Sequence, residues 1–173
     1  MNTPASPRCF SRGIVSALAA VVLTAAAGGS DVRAASGPFA DFPGSWSGTG
    51  TIRLSNGGTE RIRCTARYRV RSSGGYDVDL SLTCASDSYK FDLTGDFRAN
   101  ESEQITGQWT ERTRNIGGSV IGRARGNRIQ IHAESSGFAA DLVMTTRERR
   151  QSVSIDSRGG GQTVEASITL RRE

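Results

Sequence analysis

The feature that most limits the fold is a two-residue alternation that returns, segment after segment, between short turn signals. Past residue 35 no stretch places apolar residues at helical spacing for two turns, whereas alternation recurs between "SNGG", "SSGG", "NIGG", "RGN", "SSG" and "RGGG". Alternation puts successive side chains on opposite faces of a strand, and clusters of Gly, Asn and Ser mark the reversals. The pattern predicts ten short strands, over 46–54, 59–71, 76–85, 88–98, 105–113, 119–125, 128–134, 138–147, 151–157 and 162–172. Links of a few residues make neighbours pair antiparallel, as hairpins in a meander.

The stretch "ERIRCTARYRVRSSGGYDVDLSLTC", Glu60 to Cys84, tests that reading. With the turn centred on Gly74, Cys64 faces Cys84, Ala66 faces Leu82, Tyr68 faces Leu80 and Val70 faces Val78, so one face is wholly apolar. The other face then sets Arg69 against Asp79, Arg71 against Asp77 and Thr65 against Thr83, which are favourable cross-strand pairs. A slip of one residue would break both faces together. Opposed residues in an antiparallel pair lie about 4.5 to 5.5 Å apart at Cα, within disulfide range, so a Cys64–Cys84 bridge fits the same register.

Other segments repeat the pattern: Trp46, Gly48, Gly50, Ile52 and Leu54 share a face, as do Tyr89, Phe91, Leu93, Gly95 and Phe97. A meander with one apolar face and no helix to cover it hides that face by closing on itself, which also removes the exposed edges. The expected fold class is therefore all-β, an antiparallel up-and-down meander closing into a barrel of about eight to ten strands, favoured over a two-sheet sandwich. Its interior would present Trp46, Tyr68, Leu82, Phe91, Trp109, Phe138 and Met144 as candidate ligand contacts, among aliphatic neighbours such as Ile52, Leu142 and Ile168.

Residues 1–34 read as a secretory signal peptide, with Arg8 and Arg12, an apolar run from Ile14 to Ala27, and small residues at Val32-Arg33-Ala34. The expected organisation is a leader over 1–34, a lead-in over 35–45 and one barrel domain over 46–173, periplasmic or secreted, with no transmembrane segment after cleavage. No cysteine follows the apolar run at the spacing of a lipid anchor. Cleavage removes Cys9 and leaves an even pair, Cys64 and Cys84, which in an exported domain reads as a disulfide. It also removes Arg8, Arg12, Arg33 and Asp31, lowering the net charge from +5 to +3.

Gly44-Ser45-Trp46, opening the first strand of a small exported meander barrel, resembles the G-x-W start of lipocalins and avidins, the calycin group. The resemblance implies that Trp46 plugs the closed end and that Arg171 or Arg172 of the last strand packs over it. The chain also resembles small exported proteins of alphaproteobacteria that share phrases such as "GSWSGTGTIRL", "ERIRC" and "CASDSY".

Catalytic constellations are not visible, and no catalytic residue, metal ligand or cofactor is expected. His132 is the single histidine and falls on a polar face, so neither a histidine triad nor a multi-histidine metal site can be assembled. Paired cysteines offer no thiolate. The carboxylates fall on outward strand positions or in turns, and no glycine phrase introduces a helix as a phosphate loop must. The chain reads as a non-enzyme that binds a small apolar ligand or an envelope component. The rival reading is an interaction or inhibitor module acting through its loops and an arginine strip, Arg61, Arg63, Arg67, Arg69 and Arg71. No aromatics interleave there to stack bases, which argues against nucleic acid. An outer-membrane barrel is disfavoured by the short strands and the missing terminal aromatic.

Overall fold

The computed structural model describes residues 36–173, so the leader expected over 1–34 lies outside the described residues. The described residues form ten strands, β1 Gly44–Leu54, β2 Thr59–Val70, β3 Asp77–Ala85, β4 Lys90–Ala99, β5 Gln104–Glu111, β6 Ile116–Arg125, β7 Arg128–Ser135, β8 Phe138–Arg147, β9 Arg150–Gly159 and β10 Gln162–Arg172. Each pairs antiparallel with its sequence neighbours, and β1 pairs with β10 to close the barrel. The largest departure in the strand bounds is at β6, which starts at Ile116. Gly117 and Gly118 carry no side chains to show alternation, yet their backbones continue the ladder opposite Thr110 and Trp109.

The β2–β3 hairpin adopts the expected register, with Cys64 opposite Cys84, Ala66 opposite Leu82, Tyr68 opposite Leu80 and Arg69 opposite Asp79. The two cysteines are joined in a disulfide, their Cα atoms 4.1 Å apart. One pair differs from expectation. Arg71 lies past the end of β2, its backbone N–H donating to Asp77 O, and its guanidinium meets Asp79 at 3.2 Å. Asp77 is instead taken by Arg98 of β4 at 2.7 Å, because β4 stands directly beside β3 there. At the turn, Gly75 holds φ +75° with the backbone of Ala40 packed where a Cβ would sit, so glycine is required.

Inward glycines let the sheet curl. A Cβ on Gly48 would run into the backbone of Thr169 on β10, and one on Gly118 into the backbone of Glu134 on β7. Glycine kinks of this kind allow strands to bend and coil until a barrel closes. The alternation then sorts the two faces: Ile62, Cys64, Ala66 and Tyr68 are buried inside, while Arg61, Arg63, Arg67 and Arg69 are exposed outside. A membrane barrel requires an apolar outer band, the reverse of this arrangement.

The chain crosses between the ends in strict alternation, so the ten strands share two rims. One carries the turns β2–β3, β4–β5, β6–β7 and β8–β9 with the lead-in before β1; the other carries β1–β2, β3–β4, β5–β6, β7–β8 and β9–β10. The first rim is closed and the second is the mouth.

Candidate functional site: a blind apolar lumen

Closure of the first rim begins with the lead-in. Gly37 N donates to Gly74 O at 2.6 Å and Phe39 N to Gly75 O at 3.0 Å, which ties this segment to the β2–β3 turn. The turn formed there pushes Phe39 and Phe42 into the barrel, each 3% exposed. Phe39 meets Phe42 edge-on at 5.6 Å, Phe42 meets Tyr68 at 5.1 Å, and Tyr68 meets Trp46 at 6.3 Å, all in the T-shaped geometry that aromatic rings favour. Trp46 is wholly buried, its Nε1 donating to Phe42 O at 2.9 Å, and the Arg172 guanidinium lies 4.8 Å from the indole centroid. Of the two arginines considered from the resemblance, Arg172 takes the position because it shares the inward parity of Leu170, whereas Arg171 points out.

Two polar groups are built into this floor. Tyr68 Oη donates to Gln151 Oε1 at 2.8 Å, and Gln151 Nε2 donates to Thr146 Oγ1 at 3.1 Å. Gln151 is fully buried, and each hydrogen bond replaces one that burial removed from water. Burial pushes the Tyr68 hydroxyl well above the usual tyrosine range, against the smaller opposing effect of its bond to Gln151.

Above the floor the barrel encloses a cavity of about 210 Å³. Tyr68, Leu82, Phe91, Trp109, Phe138 and Met144, six of the seven candidate contacts read from the sequence, line it. Trp46 does not: as the floor plug it is covered by Tyr68, Phe42 and Arg172 and has no face left toward the space. Leu80, Leu82, Phe91, Leu142 and Met144 point inward yet are only half-buried, because each packs on the core along one side and faces the cavity along another. The disulfide belongs to this wall, with Cys84 against the cavity. Among the lining residues Ser157, Tyr68, Tyr89 and Trp109 alone carry a side-chain polar atom besides the bridged Cys84 and the Met144 thioether. Trp109, packed 5.4 Å from Phe138, has a buried Nε1 with no hydrogen-bond partner among the described residues.

The mouth is braced by charge. Glu111 is on the inward parity of β5 and fully buried at the rim, where it accepts hydrogen bonds from the backbone N–H groups of Asp92, Thr113 and Arg114 at 3.0, 2.9 and 2.8 Å. Burial alone would raise its pKa, but these donors outweigh it and hold the carboxyl at about 2. Arg114, ion-paired with Glu111 at 3.3 Å, also covers the Tyr89 ring at 4.7 Å. On the other side Glu60 accepts from the Ser86 hydroxyl at 2.6 Å and from the Ser88 backbone and hydroxyl, anchoring the β3–β4 turn.

Sequence reasoning missed Phe39, Phe42, Gln151 and Glu111. The two phenylalanines sit in a lead-in with no repeating pattern, and the two polar residues break the rule that inward positions are apolar. The arginine strip of β2 runs along the outer wall, away from the lumen. Arg69 stands opposite Asp79 and Arg71 pairs with it, whereas Arg61, Arg63 and Arg67 form no ion pair among the described residues. His132 lies on the outer face, its Nδ1 2.7 Å from Asp141 Oδ1 and its Nε2 2.9 Å from Glu134 Oε1. Among the described residues no group of three metal-ligating side chains converges, and no helix is long and apolar enough to cross a membrane.

No protein-family model matches the sequence, and no curated protein does. Solved structures do match. The S-type phycobiliprotein lyase CPES from Guillardia theta superposes with a TM-score of 0.62 at 10% identity, covering 78% of this chain and 90% of its own. Rv2717c from M. tuberculosis superposes with a TM-score of 0.61 at 13% identity, covering 78% of this chain and 94% of its own. The finer resemblance to alphaproteobacterial exported proteins is not carried by either match. The expectation that the chain is not an enzyme is overturned by the first: a barrel of this fold is a lyase, so a lumen without a triad does not exclude catalysis. At such identity the matches speak for architecture alone, and the architecture they share with this chain is a β-barrel, here a closed antiparallel meander of ten strands.

Proposed function

We propose that this chain takes up a small, largely apolar ligand in the lumen of an exported barrel. The observation that carries the reading is the cavity of about 210 Å³ behind the mouth, walled almost wholly by hydrocarbon and aromatic groups. An apolar cavity of roughly 150 Å³ already takes up benzene or xenon, so this space has room for a somewhat larger guest. Leu82, Phe91, Trp109, Phe138 and Met144 form its contacts, and Tyr68 closes the far end. The Cys64–Cys84 bridge supports export, because such bonds persist in oxidising compartments. The Guillardia theta lyase supports a ligand-handling role on this architecture, and a chemical step on the bound guest is compatible with it.

The test is a titration with N-phenyl-1-naphthylamine, a neutral apolar fluorophore. The wild-type protein should bind one equivalent saturably with enhanced emission. Leu142→Trp, which fills the lumen from β8, should abolish the enhancement, while Ile121→Ser should leave it intact, since Ile121 is 63% exposed on the outer face. Equal binding by Leu142→Trp, or loss in Ile121→Ser, would place the fluorophore outside and refute the proposal.

A further inference from the structure

The register of β6 to β10 assembles a second feature at the closed rim, on the outer wall. Arg125 stands opposite Arg128, Arg147 opposite Arg150, and Arg150 also opposite Arg171. Arg149 sits in the β8–β9 turn among them, one guanidinium nitrogen donating to Arg172 O at 2.9 Å. All six of these arginines are exposed, and none lies within ion-pair distance of a carboxylate among the described residues. Glu148 and Glu173 are in the same region, yet neither pairs with them. Like charges directly opposite across a sheet destabilise it, so three such pairs in a row are an arrangement that the fold carries without benefit to itself.

The rest of the rim differs. On β2 to β4, Arg71 and Arg98 are neutralised by Asp79 and Asp77, and Glu101 and Glu103 follow in the β4–β5 turn. The six unpaired arginines of β6 to β10 are thus the densest positive cluster at this rim, apart from the β2 strip. A planar membrane pressed against this end would meet the acidic turn as well, whereas a linear molecule crossing β6 to β10 would meet six exposed arginines against two exposed carboxylates, Glu148 and Glu173. Four inter-strand steps of about 4.8 Å give the row a length of roughly 19 Å. Guanidinium groups bind carboxylate, sulfate and phosphate through paired hydrogen bonds. No Phe, Tyr or Trp occupies an outward position on these strands, so nothing is present to stack bases. A disulfide of this kind is rare in cytosolic and nuclear proteins, the compartments that hold nucleic acid.

We infer that this arginine row is a docking surface for a linear acidic polysaccharide, with its carboxylate or sulfate groups lying across β6 to β10. The mouth is at the opposite end, so a barrel held this way keeps its lumen open to solution. The inference is independent of what the lumen binds.

The experiment is calorimetric titration of the full exported chain with polygalacturonate oligomers at low salt. Neutral dextran, duplex DNA and phosphatidylglycerol vesicles serve as comparators. Polygalacturonate should bind and dextran should not, with affinity falling as salt rises. Arg125→Gln/Arg128→Gln should weaken binding about tenfold, as expected when two exposed charge contacts are lost. Arg61→Gln/Arg63→Gln on β2, with the same loss of net charge, should bind as wild type. Because a like-charge pair is relieved, the first variant should melt no lower than wild type. No polygalacturonate binding, equal weakening by both variants, tighter binding to DNA or vesicles, or a lowered melting temperature in the first variant would each overturn the assignment.

Discussion

Opening the Cys64–Cys84 bridge removes a constraint whose size the geometry sets. The bridge spans a sequence separation of 20 residues, and closing a loop of that length in the unfolded chain is worth about 3 kcal/mol in the chain-entropy treatment. At about 2.1 cal/mol/K per residue, residues 36–173 unfold with an entropy of about 0.3 kcal/mol/K, so the loss lowers the melting temperature by about 10 °C. The assay is circular dichroism melting of three samples: the oxidised protein, the protein reduced by dithiothreitol, and Cys64→Ala/Cys84→Ala. Both cysteines are almost fully buried, so the double variant should fall slightly further than the reduced protein as packing is lost too. Cys64→Ala alone should match the double variant closely, since the bridge is already gone. The reasoning fails if reduction shifts the transition by less than about 3 °C, which would mean that the turn at Gly75 and the cross-strand pairs restrict the unfolded hairpin without the covalent link.

Three further outcomes follow from the polar groups. Glu111, held at about 2 against an ordinary 4.5, contributes stability that is complete above pH 4.5 and lost as pH falls toward 2; urea melts of Glu111→Gln should show lower stability at pH 7 and a flatter acid limb than wild type, and identical limbs would contradict the role assigned to this carboxylate. Tyr68→Phe leaves Gln151 Oε1 buried without its donor, which should cost about 1 to 3 kcal/mol in a denaturant melt, and Gln151→Leu in the same background should recover part of it. His132, the single histidine, has its pKa raised above 6.5 chiefly by its hydrogen bond to Asp141 and then by that to Glu134. Its contribution is therefore present below pH 6.5 and fades as pH rises through the raised value. An NMR titration should find the imidazole titrating above 6.5 in wild type and closer to it in Asp141→Asn.

Much of this fold was legible because two independent signals agree at each hairpin. In β2 and β3, alternation decides which residues share a face and the cysteines decide which residues stand opposite, and only one register satisfies both. The lumen wall follows from the same parity, which is why Leu82, Phe91 and Met144 were found. What was not legible lies where parity carries no information or is broken. Trp46 has the parity of a contact residue, but its depth along the barrel is set by the lead-in, whose Phe39 and Phe42 have no periodic signature. Glu111 and Gln151 occupy inward positions where alternation expects hydrocarbon, and only their buried partners explain them. The basic row on β6 to β10 is spread over distant parts of the chain and exists only once the strands are in register, whereas the β2 ladder was visible because it lies on a single strand. Chemistry was the least legible property, since a lyase occupies the same architecture and the barrel alone does not disclose what happens within it.

The central claim is that the side chains of the barrel leave a cavity in the lumen, and diffraction from xenon-pressurised crystals measures it. Xenon should appear between Leu82, Phe91, Leu142 and Ile155, the half-buried wall of the cavity. A lumen without xenon, its volume taken up by those same side chains turned inward against one another, would contradict the central claim.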